Sequence, residues 1–275
     1  MNQAAARSRR RPCGRAPVVA LAICVAAVGP AAAGAWLMPA SDGQAITSLR
    51  LYQSQGGFDD QGQPLPLAHY QRAEVSTYVE YGLTRHFTIG AEPRYQKASA
   101  GVGAFQAEGS GLGDLDIFVR RSLITYGSWV SSVQGLVKLP MYDRGVSPAR
   151  GNGRREYEMR VAIGRNIEAW MPGFVDGELA YRRGTKGLAD QLRVEATIGV
   201  RPSSRLTVLV KGLRTKSHDL GDGLPGSSYD LDKAEVSAVL RLSRAVSAEI
   251  GASRDLSGER VGLGHALTAA LWVRF

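Results

Sequence analysis

The segment HALTAALWVRF, His265 to Phe275, alternates two kinds of residue without a break up to its final phenylalanine. His265, Leu267, Ala269, Leu271, Val273 and Phe275 share one parity; Ala266, Thr268, Ala270, Trp272 and Arg274 share the other. Side chains of a strand point alternately to its two faces, so this pattern predicts a strand with one greasy and one mixed face. A water-soluble sandwich and a membrane barrel can both end this way, and the rest of the chain decides between them.

Similar stretches recur upstream. The alternation predicts strands near 43–53, 70–81, 86–97, 114–124, 128–139 and 155–165, then 174–183, 190–201, 205–215, 233–243, 246–255 and 265–275. Their lengths approach the ~9–11 residues that a tilted membrane strand requires. Short connections sit at Gly82–Arg85, Thr125–Gly127, Pro202–Ser204 and Arg244-Ala245, with a longer one at Asn166–Gly173. Long polar ones sit at 54–69, 98–113, 140–154, 216–232 and 256–264, and 184–189 makes a shorter sixth. Five turns on one side and six loops on the other predict a 12-stranded antiparallel up-and-down barrel, turns toward the periplasm and loops outside.

The faces agree. Near 70–81, Ala73, Val75, Thr77, Val79 and Tyr81 alternate with Arg72, Glu74, Ser76, Tyr78 and Glu80. Trp129, Trp272, Tyr81, Tyr157 and Phe87 lie near strand ends and suit interfacial girdles. Arg121 falls on the lipid parity, where snorkelling or a bulge is required.

The amino terminus supplies the compartment. Arg7, Arg9, Arg10, Arg11 and Arg15 precede an apolar run from Val18 to Val28, and Ala31 and Ala33 give a small-x-small cleavage pattern. This predicts a signal peptide over 1–33 and a mature barrel domain over 34–275. The run is shorter than the ~20 residues of a membrane helix. A lipoprotein box at Leu21-Ala22-Ile23-Cys24 is disfavoured by bulky Ile23, and a twin-arginine route by the need to cross the inner membrane unfolded. With the signal go both cysteines, Cys13 and Cys24, and five arginines, so 34 basic residues become 29 against 25 acidic, a net of +4. Disulfide chemistry is thereby excluded from the mature chain, and a nucleic-acid partner loses its support. With no apolar run long enough for a helical span, membrane residence requires a closed barrel, which satisfies every backbone group in lipid.

The lumen parity carries both signs of charge. Arg72, Glu74, Arg94, Glu158, Arg160, Arg193, Glu195 and Arg241 are the candidate lumen-lining residues, joined by Glu92, Asp116, Arg120, Asp176, Glu178 and Arg182. Lys138, Lys211, Glu235 and Glu249 share that parity. Such charges either pair and brace neighbouring strands or line a hydrated, charge-selective conduit. A 12-strand barrel lies between the filled 8-strand and the open 16-strand cases.

Catalysis finds no constellation. The four histidines, His69, His86, His218 and His265, include no partner for a nucleophilic serine, and no GxSxG elbow is present. Gly109-Ser110-Gly111-Leu112-Gly113-Asp114 precedes a strand rather than opening a helix, so a phosphate-loop reading fails. Asp219, Asp222, Asp230 and Asp232 share one predicted loop, but their spacing does not match an EF-hand. No cofactor and no metal is expected.

Several motifs resemble known barrels. The terminal aromatic of HALTAALWVRF resembles the C-terminal recognition signal of bacterial outer-membrane barrels. GLGDLDIFVRRSL (Gly111–Leu123), YGLTRHFTIGAEPRY (Tyr81–Tyr95), and the opening Gly34-Ala35-Trp36-Leu37-Met38-Pro39 with Gly43-Gln44 are similar to the MetA-pathway phenol-degradation family. That resemblance spans the mature chain and implies a transport-type barrel in the outer membrane, passing small solutes, aromatic or hydrophobic compounds among them. It names no catalytic residues. The partners it implies are outer-membrane lipid, the barrel-insertion machinery acting on the last strand, and a small-molecule solute. The alternative is a structural or adhesive barrel acting through its loops.

Overall fold

The computed structural model describes residues 34–275 except 103–104, 143–147, 149, 152, 169–170, 186 and 219–227. The predicted signal peptide, Asp219 and Asp222 lie outside the described residues. Twelve strands follow in order: β1 (Gly43–Phe58), β2 (Pro64–Thr84), β3 (Phe87–Val102), β4 (Phe105–Tyr126), β5 (Trp129–Pro140) and β6 (Glu156–Glu168). They continue as β7 (Pro172–Gly184), β8 (Asp190–Val200), β9 (Leu206–His218), β10 (Asp230–Arg241), β11 (Val246–Glu259) and β12 (Val261–Arg274). Each pairs antiparallel with its sequence neighbour, and β1 pairs with β12 to close the barrel. The lengths run from 11 residues in β8 to 22 in β4, so every strand reaches the ~9–11 a bilayer crossing requires.

Closure depends on the last residues of the chain. Gly43 N donates to Phe275 O at 2.7 Å and Phe275 N donates to Gly43 O at 3.0 Å. A Cβ at position 43 would fall on the Phe275 ring, so glycine there lets the ring lie over the seam.

The barrel is apolar outside and polar inside. Ile250 is 70% exposed and Leu267 60%, on outer faces where Leu49, Val161 and Ile163 are likewise exposed. Exposed apolar side chains repeated around a closed wall require lipid, not water, as their solvent. Tyr81, Phe87, Tyr126 and Trp129 ring the end carrying the tight turns; Tyr95, Tyr157 and Tyr181 lie toward the other end. Arg121 stays on the lipid face, its guanidinium 5.7 Å from the Phe87 ring centre, and Arg165 sits 5.1 Å from Trp129. This is snorkelling into an aromatic girdle.

Three expectations change. Residues 54–69, 98–113 and 256–264, read as loops, are mostly strand, and Gly109–Asp114 lies within β4. Beyond the bilayer, strands need no apolar face to keep pairing, so the alternation that marks a membrane strand stops before the hydrogen bonding does. Asp230 and Asp232 belong to β10, where Asp232 binds Arg214 at 3.2 Å and Ser257 Oγ at 2.7 Å. Trp272, read as a girdle residue, faces the lumen at 9% exposure, and its Nε1 donates to Glu249 at 2.9 Å. Its own parity, shared with Thr268 and Ala270, required that. Pro93 sits where the β3–β4 register shifts; lacking an N–H, it cannot serve a regular ladder.

Candidate functional site

Inside the wall, β6, β7 and β8 carry a dense ion-pair network. The Glu158 side chain is fully buried and meets Arg182 at 2.6 Å, Arg160 at 2.8 Å and Arg193 at 3.4 Å. Arg160 also binds Glu178, and it reaches Glu195 at 3.7 Å; Arg182 reaches Glu156 at 3.1 Å. Period-two spacing places these groups: 156, 158 and 160 on β6 face 182 and 178 on β7 and 193 and 195 on β8. A second knot joins Arg94 to Glu92 at 2.6 Å and to Asp116 at 2.9 Å, between β3 and β4. A third centres on buried Arg120, which meets Glu80 at 3.3 Å, Gln134 Oε1 at 2.9 Å and the Tyr78 hydroxyl at 3.2 Å.

Residues 34–39 run along the inner wall of this half, near the turn end. Gly34 O accepts from Ser132 Oγ at 2.8 Å, Trp36 O accepts from Arg120 at 3.1 Å, and Met38 N donates to Thr88 Oγ1 at 3.1 Å. The Trp36 ring meets Phe174 edge-on at 5.5 Å, and a Cβ at Gly164 would fall on that indole. The strap therefore fits a groove that small residues leave in β6. It rejoins the barrel where Ala40 bridges Gly82.

Away from the strap the lumen is open, and the space borders Glu178, Arg193 and Glu195 of the pairing network. A cavity of about 340 Å³ is lined by Ser48, Arg50, Lys211, Glu235, Glu249 and Trp272 among others, with no residue of the strap. A second, of about 450 Å³, includes Tyr52, Arg72, Glu74, Arg193, Glu195 and Lys233. Both touch Arg50, Lys211 and Glu235. Arg50 lies 3.6 Å from Glu235 and donates to Ser253 Oγ at 2.7 Å, which narrows the lumen there.

At the loop end, described residues of the β5–β6 connection turn back onto β3 and β4. Met141 N donates to Gly113 O at 3.2 Å, Gln96 Nε2 donates to Arg150 O, and Arg150 stacks 5.7 Å from the Tyr142 ring. Burial, then the nearby Asp114 carboxylate, push the Tyr142 hydroxyl up to about 12. It stays a neutral group throughout the physiological range.

The eight sequence candidates thus fall into three groups. Arg72, Glu74, Arg193 and Glu195 line the second cavity, Arg193 and Glu195 while also paired within the β6–β8 network. Arg94, Glu158 and Arg160 are bound into the pairing knots. Arg241 lies at the turn-end rim, where it donates to the Ser204 carbonyl. Arg50 was missed, although its alternation with Leu49 and Leu51 on β1 is a readable signal. His86 lies in a turn, accepting from Arg85 at 3.0 Å, and His265 meets Gln53 on the outer face at 2.6 Å. Among the described residues no cluster of three metal-binding side chains occurs.

The chain is similar to the COG4313 outer membrane channel from Pseudomonas putida F1, at TM-score 0.72 and 12% identity, over 88% of this chain and 98% of that one. It is similar to the beta domain of the Bordetella autotransporter Brka at TM-score 0.51 and 10% identity, over 86% and 100%. The KdgM porin gives 0.50 and 9%, over 84% and 99%. At these identities the likeness is one of fold, that of the closed outer-membrane barrel. A channel, a porin and an autotransporter domain share it, so the choice of task rests on the lumen. No profile of a known protein family matches the chain, and no curated protein does.

Proposed function

We propose that this chain is an outer-membrane channel that passes small solutes through the open half of its lumen. The observation that carries the reading is the pair of cavities meeting at Arg50, Lys211 and Glu235. Two pairs facing that space, Arg50–Glu235 at 3.6 Å and Arg72–Glu74 at 3.9 Å, are longer than the Glu158–Arg160 and Glu158–Arg182 contacts of the β6–β8 knot, so water and a solute can reach them. Bracing and conduction meet at Glu178, Arg193 and Glu195, which belong to the knot and also line the cavities. The turns face the periplasm and the loop end faces outside, with residues 1–33 removed on export. Membership in the MetA-pathway phenol-degradation type of barrel is supported by the motifs quoted above and by the likeness in fold to the COG4313 channel.

The lumen favours small polar or charged solutes at the narrowing, while aromatic or hydrophobic compounds are the class implied by the family resemblance. The insertion machinery acts on β12 through Phe275. Catalysis has no place in this reading: the lumen chemistry is ion pairing, and His86 and His265 stand outside it. Purified protein in planar bilayers should give discrete conductance steps, and liposomes carrying it should swell in small sugars or amino acids. A sealed bilayer and osmotically silent liposomes would leave the structural or adhesive reading in its place.

A further inference from the structure

Two carboxylates stand two residues apart on the inward face of β7, Asp176 and Glu178, where the strap begins. Arg160 serves Glu178. Asp176 is 5% exposed and forms no ion pair among the described residues; its Oδ1 has no hydrogen-bond partner there. Its Oδ2 accepts from the Ala35 backbone N–H, at 3.2 Å, its carboxyl lies against that of Glu178, and Lys211 is the cation across the lumen from the two. Beside it, Gly34 N donates to Glu178 Oε1 at 3.0 Å. Gly34 is itself buried, and a Cβ there would fall on the Glu178 carboxylate. Two buried carboxylates side by side, with the one described ion pair going to Glu178 and an acceptor atom of Asp176 left over, form a seat that a further cation would stabilise.

Sequence reading places signal cleavage between Ala33 and Gly34. We propose that the α-ammonium created at Gly34 by that cleavage is the ligand of the Asp176–Glu178 seat and locks residues 34–39 into the lumen. A peptide-linked Gly34 brings one N–H and no charge to this position. A free terminus brings a positive charge and three donors, enough for Glu178 Oε1 and the orphaned Asp176 Oδ1 together. Glycine suits the seat because any side chain would displace Glu178. Removal of the signal is then also the step that completes the turn end of the channel: before it, the strap has no charge with which to dock. The inference rests on cleavage before Gly34 and not on conduction, so it can fail while the channel reading stands.

The test uses mature protein purified from outer membranes. Intact mass should place the first residue at Gly34. An amine-acylating ester should label the Gly34 α-amine of the folded barrel about tenfold or more slowly than that of the urea-unfolded chain, since each unit by which pairing raises an amine's pKa removes about nine-tenths of its reactive form. Asp176→Asn with Glu178→Gln should abolish the protection while the barrel keeps its heat-shifted gel mobility. Inserting Ser-Gln between Ala33 and Gly34 moves the terminus out of the seat without touching β7, and provides the same readout if the double variant does not fold. A different first residue, equal labelling of folded and unfolded wild type, or full protection in a folded Asp176→Asn, Glu178→Gln barrel would each overturn the proposal.

Discussion

Glu158 holds three guanidinium groups at once from a fully buried side chain. Its worth lies in what its loss would leave behind: Arg160, Arg182 and Arg193 converging with less negative charge among them. Breaking a buried pair from one side costs ~3–5 kcal/mol. Glu158→Gln should therefore lower the barrel's unfolding free energy by about that amount in urea titrations from lipid vesicles, whereas Glu74→Gln, facing the open cavity, should cost well under half as much because water can rehydrate Arg72. Equal losses for the two would mean that the halves of the lumen are not distinct. The identity of these residues was legible in the sequence, since the two-residue period sorts inward from outward once a strand is found. Their partners were not. Which arginine binds Glu158 depends on the register of β6 with β7 and of β7 with β8, and alternation within one strand carries no register.

At the scale of the element, β12 was readable to its last residue and β1 to within its bulge, because lipid enforces alternation along the crossing. Phe275 closes the seam through its paired backbone bonds to Gly43. Deleting Phe275, or replacing outward Val273 with Asp, should reduce heat-modifiable barrel in the membrane fraction and leave unfolded chain in the periplasm. Unchanged membrane yield for both variants would remove the last strand from assembly. A charge on the lipid face costs ~2–4 kcal/mol at mid-bilayer and less near the interface, so at Val273 the Asp acts mainly through recognition. The extended strand pairs at 54–69 and 98–113 were hidden, as their glycines and polar residues resemble loop composition while their backbones stay in the ladder. The strap was hidden too: six residues without a period reveal nothing about the wall they lie on. Orientation has its own check. On the proposed removal of residues 1–33 no cysteine remains, so Asp60→Cys between β1 and β2 should react with an impermeant maleimide on intact cells, and Ser203→Cys between β8 and β9 should not. The reverse pattern would invert the topology.

Over the whole molecule, ion pairs and the strap fill one side of the lumen, and two cavities that share Arg50, Lys211 and Glu235 occupy the rest, the space we propose as the passage. A fixed charge in a narrow, low-dielectric passage acts strongly on a permeating ion, so the sign of selectivity should follow these three groups. Arg160 lines neither cavity, and Arg160→Gln should act first on stability, shifting selectivity less than the loss of Arg50 and Lys211. The most direct measurement is the reversal potential of single channels in a salt gradient, for wild type and for the Arg50→Gln, Lys211→Gln double variant. Both should conduct, with the variant displaced toward cation selectivity because Glu235 loses two of the cations that face it and keeps Lys233. Conductance absent in wild type, or a reversal potential identical in the two, would contradict the channel reading.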